Sequence, residues 1–339
     1  MANQTRVYIC HTVFHLYVSL LKAYNEEALA YILIPDTLEH KLSHLWQDER
    51  IKVYSYPFTL IDEHWASYKK KHPFSVMAYP KALVSIVERD FDLSSFRNTF
   101  KHADFYVFND AMPFVAYMML KYRANHFTLV EEGEAIYTTL KKDLKYYIKR
   151  CSAYPLAFGN SKIINRVLVR FPERLSVSIR HKAEKFSLRT LESNLDEEQK
   201  ENIIRFFDIH KADFKQTEKA LLLITQPLSE DALVEESYKI ALYQKMINAY
   251  GSDYQLYVKP HPRERTDYSQ VFPHSLLVKN DFPIEALSLL GFRFKKVMTL
   301  FSTAIHAVDA EESLVLGLDY DLKVKQAWMK LMGVKKVNQ

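Results

Sequence analysis

Two stretches of this chain alternate short apolar runs with helix-length amphipathic segments, and that rhythm constrains the fold more than any other feature. RVYIC (Arg6 to Cys10) is β-branched and aromatic and passes through His11 and Thr12 into VFHLYVSLLKAY, whose apolar positions recur at helical spacing. The strand pattern returns at 30–35 (AYILIP), 52–56, 103–108 and 127–130. A second alternation starts with ALLLIT (220–225), followed by a predicted helix over 232–250 that ends at Gly251. Predicted strands at 255–258, 275–278, 296–300 and 313–318 continue it, with helices at 283–290 and from about Ser302. Between the halves, 186–219 is charged and free of Gly and Pro, which predicts connecting helices. Alternating strands and helices imply parallel α/β sheets that gather ligands at the carboxyl ends of their strands. The expected architecture is two Rossmann-like α/β domains facing a cleft, 1–185 and 220–339, joined by 186–219.

A length of 339 residues suits two domains. With 6 glycines, neither GxGxxG nor GxxxxGK[ST] can be written anywhere in the chain, which argues against Walker-type hydrolysis and a standard dinucleotide fingerprint. Two cysteines, Cys10 and Cys151, make neither a four-cysteine zinc site nor a disulfide framework, so a reducing cytoplasm is expected. No signal peptide is visible, and apolar runs such as Ala111 to Leu120 are too short to span a bilayer, so a membrane role is expected to be peripheral, on the inner face. The net charge of +5 is uneven: 137–182 holds eleven Lys/Arg against Asp143 and Glu173. That tract reads either as a solvated face or as a contact for anionic lipid, glycan or nucleic acid. The sequence carries no nucleic-acid motif, and its aromatics are spread through core-like elements, which argues against a nucleic-acid partner.

Four strings can carry chemistry. In YVKPHPRE (257–264) a strand runs into Lys259, Pro260, His261, Pro262 and Arg263. The prolines stiffen the loop, and the three basic residues suit a phosphate. In LFSTAIHAV (300–308), Ser302 and Thr303 stand at a helix start, as a cap or as an anion site. In LVEEGEA (129–135), Glu131 and Glu132 point to opposite sides of the chain, so one can serve as a base while the other holds backbone, and Gly133 permits a sharp turn. TQPLSED (225–231) supplies Glu230 and Asp231, which also read as the acidic start of a helix.

Taken together, these strings resemble the bacterial sialyltransferases of glycosyltransferase family 52, the lipooligosaccharide and capsule type. The matching residues are Glu131-Glu132-Gly133, Thr225 to Asp231, His261-Pro262, Ile284-Glu285 and Phe301-Ser302. The resemblance implies a GT-B fold and inverting, metal-independent transfer of sialic acid from CMP-sialic acid to a galactoside-terminated glycan. It makes His261 the acid or phosphate donor and Glu285 the contact to the CMP ribose or base. Ser302 and Thr303 would hold the phosphate, beside Lys259, Pro260, Pro262 and Arg263. The base is Asp231 or Glu132, with Glu230 competing. The same fold with another nucleotide-sugar donor is the alternative, no cofactor beyond the donor is expected, and a homodimer is implied by the resemblance alone.

Overall fold

The computed structural model describes residues 4–26, 28–41, 48–140, 144–214, 217–279 and 281–331. Twelve strands form two parallel sheets among these residues. The first sheet holds β1 (Arg6–Ile9), β2 (Ala30–Pro35), β3 (Ile51–Tyr56), β4 (Asp104–Val107), β5 (Phe127–Val130), β6 (Ile164–Val169) and β7 (Ala183–Lys185), in the order β3-β2-β1-β4-β5-β6-β7. The second holds β8 (Ala220–Ile224), β9 (Gln255–Lys259), β10 (Leu276–Leu277), β11 (Phe294–Thr299) and β12 (Ala310–Val315), in the order β10-β9-β8-β11-β12. Both sheets thus wind outward from their first strand and then reverse. This creates a switch point between β1 and β4, and another between β8 and β11, where ligands of open α/β sheets bind.

Burial follows from that order. Every residue of β2 and of β8 is buried, as expected for inner strands covered on both faces. Both residues of edge strand β10 are exposed, and β12 has no fully buried residue. The helix Val13–Glu26 returns from β1 and buries an unbroken run from His15 to Tyr24. Val7, Ile9, Leu33, Phe105, Val107 and Phe114 belong to one core, and Leu221, Leu223, Tyr243, Met246, Val258 and Met298 to the other. Two compact units result, Met1–Asp208 and Ile209–Gln339. The helices Leu188–Ser193 and Glu197–Phe206, within the predicted connector, pack on Val13–Glu26 inside the first unit.

Two expectations need correction. The basic tract is not a continuous solvated face, because it contains β6, whose Val167, Leu168 and Val169 are buried, and β7 follows at once. Much of its charge is also engaged internally. Arg170 pairs with Glu131, Arg166 with Glu184, Arg180 donates to the carbonyls of Glu173 and Leu175, and Lys182 to those of Gly159 and Ser161. Lys141 and Lys142 lie outside the described residues. The helix expected from Ser302 is a single 3-10 segment, Thr303–Ala307, because the chain must reach β12 at Ala310, which pairs with Phe294.

Candidate active site

In the second unit the ends of β8, β9 and β11 meet around a pocket of about 260 Å³ lined by Gln226, Asp231, His261, Arg263, Ser302 and Trp328, among others. The strand registers set this meeting: Ile224 pairs with both Lys259 and Thr299, so the residues just beyond them are brought side by side. The Thr225 amide donates to the Lys259 carbonyl at 3.1 Å, and the Phe301 amide donates to Gln226 Oε1 at 2.9 Å, closing the seams on either side of β8.

His261 is held from two directions. Its amide donates to Glu264 Oε2 at 2.7 Å, and its Nδ1 accepts the Arg263 amide at 3.2 Å, which leaves Nε2 to carry the proton. Half-burial, followed by the neighbouring Arg263 guanidinium, lowers its pKa from the usual imidazole value, against smaller opposing effects of Glu264, Asp231 and Glu230. Arg263 forks onto Asp231, with one bond at 3.1 Å and a shorter one from Nη1 to Oδ1. Ser302 lines the pocket while its Oγ accepts the Ala304 amide at 3.4 Å, so the capping role expected of it is present.

Beneath this loop lies a charged cluster whose cation, Lys239, no sequence string announced. Lys239 is fully buried on the helix Glu236–Tyr250 and reaches Glu230 at 3.1 Å, Glu236 at 3.0 Å and Glu264 at 3.6 Å. Glu264, itself buried, also accepts the hydroxyls of Tyr268, at 2.6 Å, and of Thr225. Burial opposes ionisation of Glu230, but bonds from the Arg265 amide, Lys239 and Ser229 outweigh it and hold the carboxyl below its usual range. Glu230 is therefore a structural anion beneath the loop and, unlike Asp231, does not line this pocket. A wider depression of about 700 Å³ over Ser229, Glu230, Glu236 and Arg265 includes none of His261, Asp231, Arg263 or Ser302.

The remaining predicted residues stand differently. Lys259 points its Nζ at the carbonyls of Lys279 and Phe282 and lies over the Phe282 ring, so it is engaged by backbone at those two residues. Pro260 and Pro262 flank His261 without lining the pocket, and Glu285 sits in the 3-10 segment Ile284–Leu290, also outside the lining. Thr303 opens its own 3-10 segment, and its side chain lies outside the described residues.

Glu132 belongs to the first unit, at the carboxyl end of β5. The two acids of the pair turn to different partners. Glu131 is buried and accepts the Arg170 amide at 2.6 Å, its guanidinium at 2.5 Å and the Tyr137 hydroxyl at 2.6 Å, while Glu132 is turned to the β1/β4 switch point. Gly133 has φ 157° and ψ −164°, a conformation that residues with a Cβ rarely adopt. Glu132 Oε2 lies 3.0 Å from His15 Nε2, and its Oε1 accepts Asn109 Nδ2 at 2.9 Å. Nearby Asp110 accepts the amides of Phe158 and Gly159 at 2.7 and 2.8 Å, yet its burial raises its pKa to about 6.

His11, at the tip of β1, has both ring nitrogens buried with no partner among the described residues, and burial followed by His15 lowers its pKa to about 3. The two shifts act oppositely on stability. Below about pH 6.5 an unfolded His11 takes up a proton that the folded one refuses, costing about 1.4 kcal/mol per pH unit down to about pH 3. Asp110 binds its proton more tightly when folded, so its effect is a gain as the pH falls from about 6 toward 4. Urea midpoints between pH 7 and pH 4.5 should therefore drop less steeply in His11→Phe than in the parent, and more steeply in Asp110→Asn.

The profile of glycosyltransferase family 52 matches residues 75–318. This chain belongs to glycosyltransferase family 52. A protein of Haemophilus influenzae, itself described as uncharacterized, is 34% identical over 190 residues, a match covering 55% of this chain and 60% of that protein. The family 52 chain thus spans about three fifths of the length of that curated relative. Its structure resembles a sialyltransferase from Photobacterium damsela, with a TM-score of 0.53 and 12% identity over 99% of this chain and 80% of the other. It also resembles residues 113–497 of the Photobacterium damselae sialyltransferase, the GT-B domain, with a TM-score of 0.53 and 10% identity over 98% of this chain and 97% of the other. The family 52 chain has the GT-B fold, and no helix among its described residues is long and apolar enough to cross a membrane.

Proposed function

We propose that this chain transfers sialic acid from CMP-sialic acid to the galactoside end of a bacterial lipooligosaccharide or capsule glycan, with inversion and without a metal. The observation that carries this reading is the convergence of His261, Arg263, Asp231 and Ser302 on one pocket at the β8/β11 switch point. CMP-sialic acid presents a single phosphodiester charge, which a guanidinium, a hydroxyl and an imidazole N–H can match without a glycine-rich cradle. His261 Nε2 supports the leaving phosphate, and Arg263 and Ser302 orient its oxygens. The acceptor hydroxyl attacks the anomeric carbon as the bond to phosphate breaks, and Asp231 takes the hydroxyl proton. Family membership supports glycosyl transfer, and the sialyltransferases that share the fold support the donor.

The test is a donor comparison. CMP should raise the midpoint of thermal unfolding at concentrations where UDP and GDP do not, by the mass action of a ligand that binds the folded state alone. CMP-sialic acid with lactose should yield sialyllactose. Selective stabilisation by UDP or GDP, with no product from CMP-sialic acid, overturns the donor assignment.

A further inference from the structure

One surface of the first unit holds large apolar side chains in solvent among cations. The segments 69–81 (KKKHPFSVMAYPK) and 144–151 (LKYYIKRC) together carry seven Lys/Arg and neither an Asp nor a Glu. They are neighbours in the fold, because the helix Leu144–Cys151 packs on the 3-10 segment Val76–Ala78. Phe74 is 97% exposed, Leu144 76%, Met77 61% and Tyr147 50%. Lys70, Lys71, Lys81 and Arg150 are exposed as well.

The exposure of Phe74 is imposed by the backbone. The helix Phe58–Lys71 ends at His72, whose amide donates to the Tyr68 carbonyl at 2.9 Å. The Ser75 amide then donates to the His72 carbonyl at 3.2 Å, which closes a tight turn with Pro73 and Phe74 at its corners. Beneath the turn, Val76 and Tyr79 are buried, Tyr79 stands edge-on to Trp65 at 5.2 Å between centroids, and Trp65 stacks on Tyr154 at 6.0 Å. This aromatic floor draws Val76 and Tyr79 inward and leaves Phe74 and Met77 outward. At 97% exposure Phe74 touches almost nothing of its own chain, so it projects singly and lines no groove.

Exposed apolar side chains grouped on one surface mark an interaction site, and their charged surround selects the partner. Projecting Phe, Met, Leu and Tyr side chains suit the deformable headgroup layer of a bilayer, where lysines and arginines remain at the level of the phosphates. A second copy of this chain would bring like charges together on the same face, which disfavours self-association there. We propose that the His72–Ser75 turn, the segment Val76–Ala78 and the helix Leu144–Cys151 form a docking surface for an anionic phospholipid bilayer, with Phe74, Met77, Leu144 and Tyr147 entering the headgroup layer and Lys70, Lys71, Lys81 and Arg150 meeting its phosphates.

The experiment is co-sedimentation of the full chain with phosphatidylcholine vesicles, plain or containing about 30% phosphatidylglycerol, the anionic lipid supplying the negative surface potential. The parent should bind the anionic vesicles at least about tenfold more tightly than the plain ones, and less tightly in high salt, which screens the attraction. Lys70→Ala with Lys71→Ala should weaken binding about 25-fold, at about fivefold for each basic residue near such a surface. Phe74→Ser with Met77→Ser should weaken it about tenfold or more, through lost apolar burial. Lys101→Ala with Arg123→Ala removes the same charge from a basic groove beside the amino ends of β4 and β5, and should bind as the parent does. In Phe74→Trp, the added indole emission should shift to the blue on anionic vesicles and be quenched by brominated lipid. Circular dichroism confirms that the variants are folded. A parent that ignores anionic vesicles, an equal loss in the Lys101 and Arg123 variant, or an unquenched Phe74→Trp overturns the proposal. So does a parent that elutes as a dimer split by Phe74→Ser, since the face then belongs to a second copy. Vesicle binding is measured without donor or acceptor, so its outcome is the same whichever sugar nucleotide the chain uses.

Discussion

His261→Ala is expected to lower kcat for sialyl transfer by about 10²- to 10⁴-fold, the range associated with a positioned acid in a proton-transfer step. The loop should survive the change, because its anchor is the His261 amide bonded to Glu264, which alanine retains, while Pro260 and Pro262 still restrict the backbone on either side. Only the contacts of the imidazole are lost: the bond to the Arg263 amide and, in the proposed mechanism, the Nε2 proton for the phosphate. CMP affinity should fall by a much smaller factor than kcat, since the imidazole matters most when charge builds on the departing phosphate. Steady-state kinetics beside calorimetric titration with CMP separate the two. A kcat within threefold of the parent would show that His261 does no more than shape the turn.

Lys239→Met should destabilise the second unit by about 3–5 kcal/mol, a cost typical of breaking a buried ion pair from one side. Methionine fills much the same volume, so the loss comes from charge. Glu264 would remain fully buried with hydroxyl and amide donors but no cation, and Glu230 would lose the ammonium that helps keep it ionised. Urea unfolding followed by tyrosine fluorescence and far-ultraviolet circular dichroism would register this as a lower midpoint at constant slope. Because Glu264 holds the His261 amide, the variant should also lose activity at temperatures where it is still folded. A double change, Lys239→Met with Glu264→Gln, should recover part of the stability, since the stranded charge is then gone. If the single variant unfolds with the parent's midpoint, the cluster contributes nothing to stability.

The sequence made the strands legible wherever a strand is buried on both faces. ALLLI and AYILIP are continuous apolar runs because covered inner strands have no polar side to declare. It failed for β6 and β7, where Asn165 and Arg166 interrupt the apolar run and the surrounding charge reads as surface. The site was legible in its strings and illegible in its supports. KPHPR, QPLSED and FST are local words, and the residues from them that line the pocket are Gln226, Pro227, Leu228, Asp231, His261, Arg263, Phe301 and Ser302. Lys239 and His15 gave a weaker signal that periodicity could have found. Lys239 shares a helical face with Leu242, Tyr243 and Met246, and His15 lies in a wholly buried run, so each places a polar group where an apolar one is expected.

By itself, then, the chain determined its alternating order of strands and helices and the types of residue at the strand ends, because hydrophobic periodicity and proline act over a few neighbouring positions. The tertiary structure decided which of those residues meet and what each is free to do. Glu230 and Asp231 are adjacent in sequence, yet one is locked into a buried cluster around Lys239 and the other forks with Arg263 at the pocket. Glu131 and Glu132 divide in the same way. The reason is that a carboxylate's role follows from its desolvation and its hydrogen-bond donors, and here most of those donors lie well beyond the neighbouring residues in sequence and arrive through strand register.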